Sequence, residues 1–431
     1  MFQRPPREAP WLSWCLAIGW TLIIYLTIPL ARTIQEFVSE NLGRPVFTYL
    51  VVAVVVLAIG VPAAKRWRSA GLRSWPQVGW LLLIGGVFVV WAFRLGRGAP
   101  EEGLHFVQYG VLAVLLFRAY SHAIQDVTIY ISAFLLGSVL GTMDEVIQWV
   151  VPTRHFDFKD IALNGASCFL ALLAISRGLT PAYVVRRVSR DSVVRLFFLG
   201  TLLWLLILAC LLNTPRARAG YLSAFPWLPS AVGAAGYTAQ YGFLIDDPDI
   251  GRFKSRFNSA DLAAEDRRRG AEAGAILDSN HPHNRDRYLA FLKTYSVVSD
   301  PFIHEARVHL YRRDHYRHAS PKFKENDPDK YRYHVMVACR ENRIVERYFP
   351  YTLSHSLFRL SAEGTAWLER DQDAQYDYFS PVSKRLFTLF TPREMLAGMG
   401  GLWLAWAGGC IYAVRRMRRG EAAAADSIMD E

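Results

Sequence analysis

The chain alternates between long apolar runs and polar stretches. Eight of the apolar runs come close to the roughly 20 residues that a helix needs to cross the hydrocarbon core of a bilayer. Because lipid offers no hydrogen bonds to an exposed backbone, each of these runs is predicted to be a helix. The predicted fold is therefore mainly α, a polytopic transmembrane helix bundle of about eight spans. The runs cover approximately residues 11–30, 46–64, 76–94, 104–119, 127–150, 160–177, 193–212 and 395–414.

Composition agrees with a membrane location, since 52% of the 431 residues are hydrophobic, which is high for a soluble enzyme. The first run follows Arg4 and Arg7, as the apolar part of a signal peptide would. It is longer than such a segment and lacks a small-residue cleavage site, so it is expected to be retained as a helix.

Lysine and arginine cluster at every second loop, at 4–7, 65–73, 177–190 and 415–419. Positive charge in short loops stays on the cytoplasmic side, so both termini are expected in the cytoplasm. The polar stretch from 213 to 392 is then extracytoplasmic. The net charge of +11 reflects this topology, and no nucleic-acid partner is expected.

The polar stretch predicts an α+β domain inserted between the last two spans. Residues 253–277 and 285–295 have the composition of charged helices, whereas 304–313 and 331–349 alternate apolar and polar positions as strands do. Glu341 and Asn342 are expected to form a hairpin turn within the last of these segments.

Polar side chains concentrate where the fourth, fifth and sixth spans meet the outer face. Asp144, Glu145 and Gln148 are three or four residues apart on the fifth span, and such positions share a helical face. Further polar residues come from the start of the fourth span, from the next loop and from the sixth span. Ionisable groups inside a membrane are costly and therefore usually functional, although an interfacial cap or hydrogen bonding between helices would explain them too. The predicted polar pocket consists of His105, Tyr109, Asp144, Glu145, Gln148, Arg154, Asp160 and Asn164.

The spacing of these residues resembles the signature of the VanZ-like membrane proteins, a family named after a teicoplanin-resistance protein. The matching strings are Glu145-x-x-Gln148-x-x-x-Pro152-x-Arg154, Asp160-x-x-x-Asn164 and Glu101-Glu102-Gly103-Leu104-His105-x-x-x-Tyr109. The resemblance covers about residues 76–178. It implies a role in the cell envelope, with glycopeptide resistance known for the namesake, and it implies no settled reaction.

The sequence thus divides into five parts. They are residues 1–75 with the first two spans, 76–178 with the VanZ-like domain, 179–212 with a cytoplasmic loop and the seventh span, 213–392 with the extracytoplasmic α+β domain, and 393–431 with the eighth span and a basic, disordered cytoplasmic tail.

Histidines are frequent in the extracytoplasmic part, where Asp314-His315-x-x-His318 and His281-Pro-His283 have spacings that could hold a metal ion. No HExxH motif is present, and His309 and His334 fall on the polar faces of the predicted strands. Solvated or hydrogen-bonded histidines are the favoured interpretation, so neither a metal nor another cofactor is expected. The five cysteines show no CxxC spacing, and no disulfide is expected within the domain.

No phosphate-binding loop, dinucleotide fingerprint, hydrolase elbow or kinase signature occurs, so no catalytic residue is assigned and enzyme activity is left open. The leading hypothesis is an inner (plasma) membrane protein whose polar pocket binds an envelope lipid or cell-wall precursor headgroup, with membrane lipids as further partners. The alternative is a non-catalytic anchor that presents an extracytoplasmic binding or sensing domain. A proton-coupled transporter ranks third, because the polar set lies near one face rather than at the midplane.

Overall fold

The computed structural model describes residues 7–41, 43, 45–96, 102–151, 154, 156–225, 236–279, 284–370 and 377–429. The chain forms two compact units. The first, here called the membrane unit, comprises residues 1–212, 222–238 and 397–431. The second, here called the polar unit, comprises residues 213–221 and 239–396.

The regular elements in the described part of the membrane unit are helices. Its helices are α1 (Pro10–Thr27), α2 (Ala31–Asn41), α3 (Pro45–Ala70), α4 (Trp75–Gly96), α5 (Glu102–Tyr120), α6 (Thr128–Val150), α7 (Phe158–Leu173) and α8 (Arg190–Leu212). A 3₁₀ turn, Gly71–Ser74, joins α3 to α4, and a π-helical turn, Ala174–Leu179, continues α7. Along the chain follow α9 (Pro215–Ala224) and, after the polar unit, the last helix at Pro392–Met429.

Six segments of the described chain are long and apolar enough to cross a membrane. They are Pro10–Thr27, Val46–Trp91, Thr128–Val150, Phe158–Leu179, Arg190–Leu212 and Pro392–Arg419. The second of them contains both α3 and α4. Helix α5, which was expected to span the membrane, lies outside this set and carries His105, Gln108 and Arg118 along its length. The number of about eight spans therefore stays a prediction.

Small residues let α6 approach α7 closely. A Cβ atom on Gly141 would lie 2.9 Å from the Cβ of Asn164, and one on Gly137 would lie 2.8 Å from the sulfur of Cys168. Glycine at such crossings allows membrane helices to pack with their backbones close together. These contacts bring the middle of α6 against the middle of α7.

The polar unit contains one two-stranded antiparallel sheet and a set of helices. Strands β1 (Phe243–Asp247) and β2 (Gly251–Ser255) pair with Phe243 opposite Ser255 and Asp247 opposite Gly251. The helices are α10 (Ser259–Asp278), α11 (Arg285–Thr294), α12 (Pro301–Ala319), α13 (Pro328–Tyr348), α14 (Pro350–Ser354) and α15 (Ala362–Arg370). The final helix, Pro392–Met429, is accordingly α16. The expected helices at 253–277 and 285–295 correspond to α10 and α11, except that residues 253–255 belong to β2.

The two strand predictions in this unit are wrong, because residues 304–313 lie in α12 and residues 331–349 lie almost entirely in α13. Glu341 is in the middle of α13 and does not form a turn. Both helices begin with an aspartate cap followed by proline: Asp300 accepts from the amide of Ile303, and Asp327 accepts from that of Lys330. This pair is a strong helix start signal, and it outweighed the alternation.

The alternation of apolar and polar residues predicted strands because the polar positions were assumed to be exposed. In the structure, several of these positions hold buried charged side chains. His309 is fully buried, although it was expected on an exposed face, and it belongs to the hydrogen-bonded class of the two expected for the histidines: its Nδ1 donates to Glu341 across 2.6 Å. Glu341 also accepts from Tyr378 and Ser380 and pairs with Arg312 at 2.8 Å. Burial alone would raise the pKa of Glu341, but these partners outweigh it and hold the pKa below its usual range.

Candidate functional site: a polar cluster on α5, α6 and α7

A directed hydrogen-bond chain links the end of α6 to the start of α7. Arg154 donates through Nε and Nη2 to the side-chain oxygen of Gln148, at 3.1 and 2.8 Å. The Gln148 amide nitrogen donates to Glu145 Oε1 at 2.7 Å, and the other Glu145 oxygen accepts from the backbone amide of Asp157 at 3.0 Å. A loop cation and a buried carboxylate are therefore connected through one neutral amide.

The orientation of that amide follows from its neighbours. Guanidinium nitrogens only donate and a carboxylate only accepts, so the Gln148 oxygen must face Arg154 and its nitrogen must face Glu145. Glu145 is fully buried and Gln148 is 2% exposed. A reversed amide would set donor against donor on one side and acceptor against acceptor on the other.

Beside this chain lies a group of buried polar atoms with unmet hydrogen-bonding capacity. His105 Nδ1 is 3.7 Å from Asp144 Oδ2, beyond hydrogen-bond distance. The Tyr109 hydroxyl and the Gln148 side chain lie close to the same carboxylate, but outside standard hydrogen-bond geometry. Among the described residues, no hydrogen bond of standard geometry reaches His105 Nδ1, the Tyr109 hydroxyl, either Asp144 oxygen or Asn164 Oδ1. Each such group costs about 1–3 kcal/mol when buried. Unsatisfied polar groups gathered in one place call for a functional explanation.

The cluster has a buried interior and a half-buried rim. Asp144, Glu145, Gln148, Asn164 and Tyr109 are at most 2% exposed. The His105 side chain is 26% exposed, and Arg154 and Asp160 are also half-buried. The structure thus places all eight predicted pocket residues in one neighbourhood, but as a buried cluster whose rim reaches the surface. Glu101 and Pro152 lie outside the described residues, as does the Glu102 side chain.

Acidic groups outnumber cations here. Asp160, in the first turn of α7, interacts electrostatically with both Asp144 and Glu145. These three carboxylates face one guanidinium and one imidazole. A cationic, hydroxyl or amide group of a ligand would find acceptors in the interior, and an anionic group would find Arg154 at the rim.

Two residues that contact this cluster were not predicted from the sequence. Asp157 caps α7 by accepting from the amide of Lys159 at 2.9 Å, which leaves its own amide directed at Glu145. An aspartate directly before an apolar helix is the signal that could have predicted this. Tyr25 on α1 donates to the carbonyl of Leu140 at 2.8 Å and lies in electrostatic range of Asp144, and nothing local in the sequence marks it.

The histidine motifs of the polar unit do not form a comparable site. Among the described residues, no group of three or more histidine, cysteine or acidic side chains is arranged to hold a metal ion. His318 Nδ1 lies 2.6 Å from the carbonyl of Asp314, one helical turn earlier. His281 and His283 lie outside the described part of the chain.

Comparison with known proteins places the cluster in a family context. The family model VanZ/LLP1 matches residues 22–179, which runs from α1 to the π-helical turn. The match begins earlier than the predicted boundary at 76 and therefore includes Tyr25. Neither the curated proteins nor the solved structures contain a significant match. Residues 22–179 are a VanZ-like domain, and its apolar helices are those of a multi-pass membrane protein.

Proposed function

We propose that the VanZ-like domain binds the headgroup of an envelope lipid or cell-wall precursor at the outer face of the inner (plasma) membrane. The observation that carries this proposal is the Arg154–Gln148–Glu145 chain beside the unsatisfied Asp144, with a rim that reaches the surface. A role in glycopeptide-type resistance would follow if the bound group is a cell-wall precursor.

The orientation is supported by the length of α7 and its π-helical turn. The segment Phe158–Leu179 has 22 residues and so rises about 33 Å, close to the thickness of the hydrocarbon core, about 30 Å. Asp160 lies at its first end, whereas Arg177, Arg186 and Arg187 lie at or beyond its last. Since basic loops stay in the cytoplasm, the polar cluster belongs at the outer face.

The rim and the interior offer complementary groups to such a ligand. Arg154 uses Nε and Nη2 on Gln148, which leaves Nη1 directed away from that amide and able to donate to a phosphate or carboxylate oxygen. Asp144 can accept from hydroxyl, amide or amine groups. His105 beside Asp144 is a pair that could move a proton, but the proposal needs binding alone.

The test compares lipids that copurify with the detergent-extracted full chain, identified by native mass spectrometry. Arg154→Ala and Glu145→Gln should each lower occupancy of the bound species about tenfold, since a hydrogen bond to a charged group contributes roughly 1.5–3 kcal/mol. Lys159→Ala, at an exposed position next to the cluster, is the matched control. Unchanged occupancy and unchanged envelope phenotype in correctly inserted cluster variants would refute the proposal.

A second candidate is an anchor that presents the polar unit as a binding or sensing domain. It is supported by the compactness of this unit, which has its own apolar core around Phe253, Ile303, Val337 and Phe349. Residues 239–396 expressed alone would then fold and retain an envelope component. Binding by this fragment, together with a normal phenotype in the Glu145→Gln variant, would favour the anchor. A fragment that binds nothing, with loss of function in that variant, would exclude it.

A further inference from the structure

We propose that the membrane unit holds a second lipid site, specific for an anionic phospholipid, in a groove between α3, α4, α5 and the end of α7. The groove has a volume of about 850 Å³, within the range of roughly 300–1,000 Å³ typical of ligand pockets. It shares no lining residue with the polar cluster, so the proposal stands independently of the function proposed above.

The greater part of the groove is apolar. Val54 and Ile59 line it from α3, Phe88 from α4, Val111 from α5 and Ile175 from the π-helical turn. Such a wall offers no partner to a polar solute. It suits a hydrocarbon chain, which leaves an equally apolar lipid environment and is held in the groove by packing.

One end of the groove is basic. Lys65 and Arg66 at the end of α3 and Arg73 in the 3₁₀ turn line this mouth together with Ser69 and Gln77. None of the described residues that line the groove is acidic. A phosphate group placed here would meet three cations and would have no carboxylate beside it.

Arg66 is held in place by the turn that follows the π-helix. Its Nη2 donates to the Thr180 hydroxyl at 2.7 Å and its Nη1 to the Leu179 carbonyl at 3.3 Å. Thr180 has a φ of 44°, an αL conformation that is uncommon for a residue other than glycine. Lys65 and Arg73 are exposed, so their side chains are free to move toward a headgroup and bind it. Arg66 is held in one position by its two hydrogen bonds.

The length of the groove matches one leaflet. From Val54 to Lys65, α3 rises about 16 Å at about 1.5 Å per residue, and the residues of α3 that line the groove before Lys65 are apolar. One leaflet contributes about 15 Å of hydrocarbon. An acyl chain along α3 therefore brings its phosphate to the level of Lys65 and Arg73.

Aromatic rings close the groove toward the polar cluster. The Phe88 ring, which lines the groove, lies 4.5 Å from that of Phe106, and the ring of Trp91 lies 5.3 Å from Phe106. Phe106 is fully buried and directly follows His105. The basic mouth opens at the opposite end, where the positive-inside pattern places the cytoplasmic leaflet, whose surface carries anionic lipid.

The experiment measures lipids retained by the full chain in mixed micelles of detergent, phosphatidylglycerol and phosphatidylcholine, by native mass spectrometry. We expect preferential retention of phosphatidylglycerol. Lys65→Gln and Arg73→Gln should each reduce that preference about fivefold, as expected for one cation near an anionic headgroup. Arg68→Gln, an exposed position on α3 outside the groove, should leave it unchanged.

A second pair of variants tests the apolar part. Ala58→Phe fills the groove and should reduce retention of phosphatidylglycerol, whereas Val56→Phe, on the same helix outside the groove, should not. Three results would overturn the proposal: equal retention of both lipids by the unmodified chain, equal losses in Arg68→Gln and Lys65→Gln, or displacement of phosphatidylglycerol by equimolar inorganic phosphate. Arg154→Ala should leave the retention of phosphatidylglycerol unchanged. A result that refutes the groove can therefore be distinguished from one that refutes binding at the polar cluster.

Discussion

Replacing Gln148 by leucine should destabilise the membrane unit more than any loss of packing would suggest. Leucine has a similar volume, but it removes the amide that accepts two hydrogen bonds from Arg154 and donates one to Glu145. The change leaves a fully buried carboxylate with the Asp157 amide as its remaining hydrogen-bond donor among the described residues.

The hydrogen bonds of Gln148 to Arg154 and to Glu145 should contribute unequally to the free energy of unfolding. Arg154 is half-buried, so water can replace part of what it loses, and hydrogen bonds between membrane helices average only about 0.6 kcal/mol. Water cannot reach Glu145 in this way, and a buried polar group that loses its partner costs about 1–3 kcal/mol. The expected loss in the free energy of unfolding is therefore about 2–4 kcal/mol, mostly from the Glu145 side.

The assay is reversible unfolding of the full chain from mild detergent into sodium dodecyl sulfate, followed by circular dichroism. Gln108→Leu is the matched control, because Gln108 is half-buried on α5 and its side chain has no hydrogen bond to another described residue. A difference below about 0.5 kcal/mol between the two variants, the usual range for surface substitutions, would show that the Arg154–Gln148–Glu145 chain does not stabilise the unit.

Three further predictions concern other parts of the molecule. Burial and the charge of Arg256 lower the pKa of His304 from 6.5 to about 4. The free energy of unfolding should therefore be unaffected by this histidine above pH 6.5 and should fall by up to about 3 kcal/mol as the pH drops toward 4, because the unfolded chain binds the proton more readily. Hydrogen exchange across α12, corrected for intrinsic rates, should show this fall, and His304→Gln should abolish it. Glu341→Ala should lower the free energy of unfolding of the polar unit by about 3–5 kcal/mol, measured by thermal unfolding, because it leaves the buried partners of that carboxylate without an acceptor. Gly141→Ala should lower the unfolding free energy by about 1–3 kcal/mol through overpacking against α7, whereas Gly86→Ala, whose Cβ meets nothing within 4 Å, should be neutral or slightly stabilising.

The polar cluster shows what local spacing can predict. Asp144, Glu145 and Gln148 share a face of α6 because of the helical period alone, and the alternating orientation of the spans brought Arg154 and Asp160 to the same face of the membrane. Spacing could not reveal that Gln148 mediates between opposite charges, since this depends on where the loop after α6 places Arg154. The buried interior was likewise unpredictable, because burial is decided by how α5 and α7 pack against α6.

The polar unit shows where pattern reading fails. Period-two alternation assumes that charged side chains face water, yet Glu305, Arg307 and His309 on α12 are all fully buried. The aspartate–proline starts of α12 and α13 were visible in the sequence and predict helices by a physical mechanism. The β1–β2 hairpin was missed for a different reason: each of its strands has only 5 residues, too few for the pattern to stand out from the neighbouring polar sequence.

We expect the VanZ-like domain to hold its acidic cluster and its basic groove mouth at opposite faces of the membrane. Cysteine labelling can locate both in a variant whose five native cysteines are replaced and which carries a single cysteine, Lys159→Cys or Arg68→Cys, both at exposed positions. Intact cells are treated with a membrane-impermeant maleimide before and after permeabilisation. We expect Lys159→Cys to be labelled in intact cells and Arg68→Cys only after permeabilisation; labelling of both positions from the same side would contradict the account.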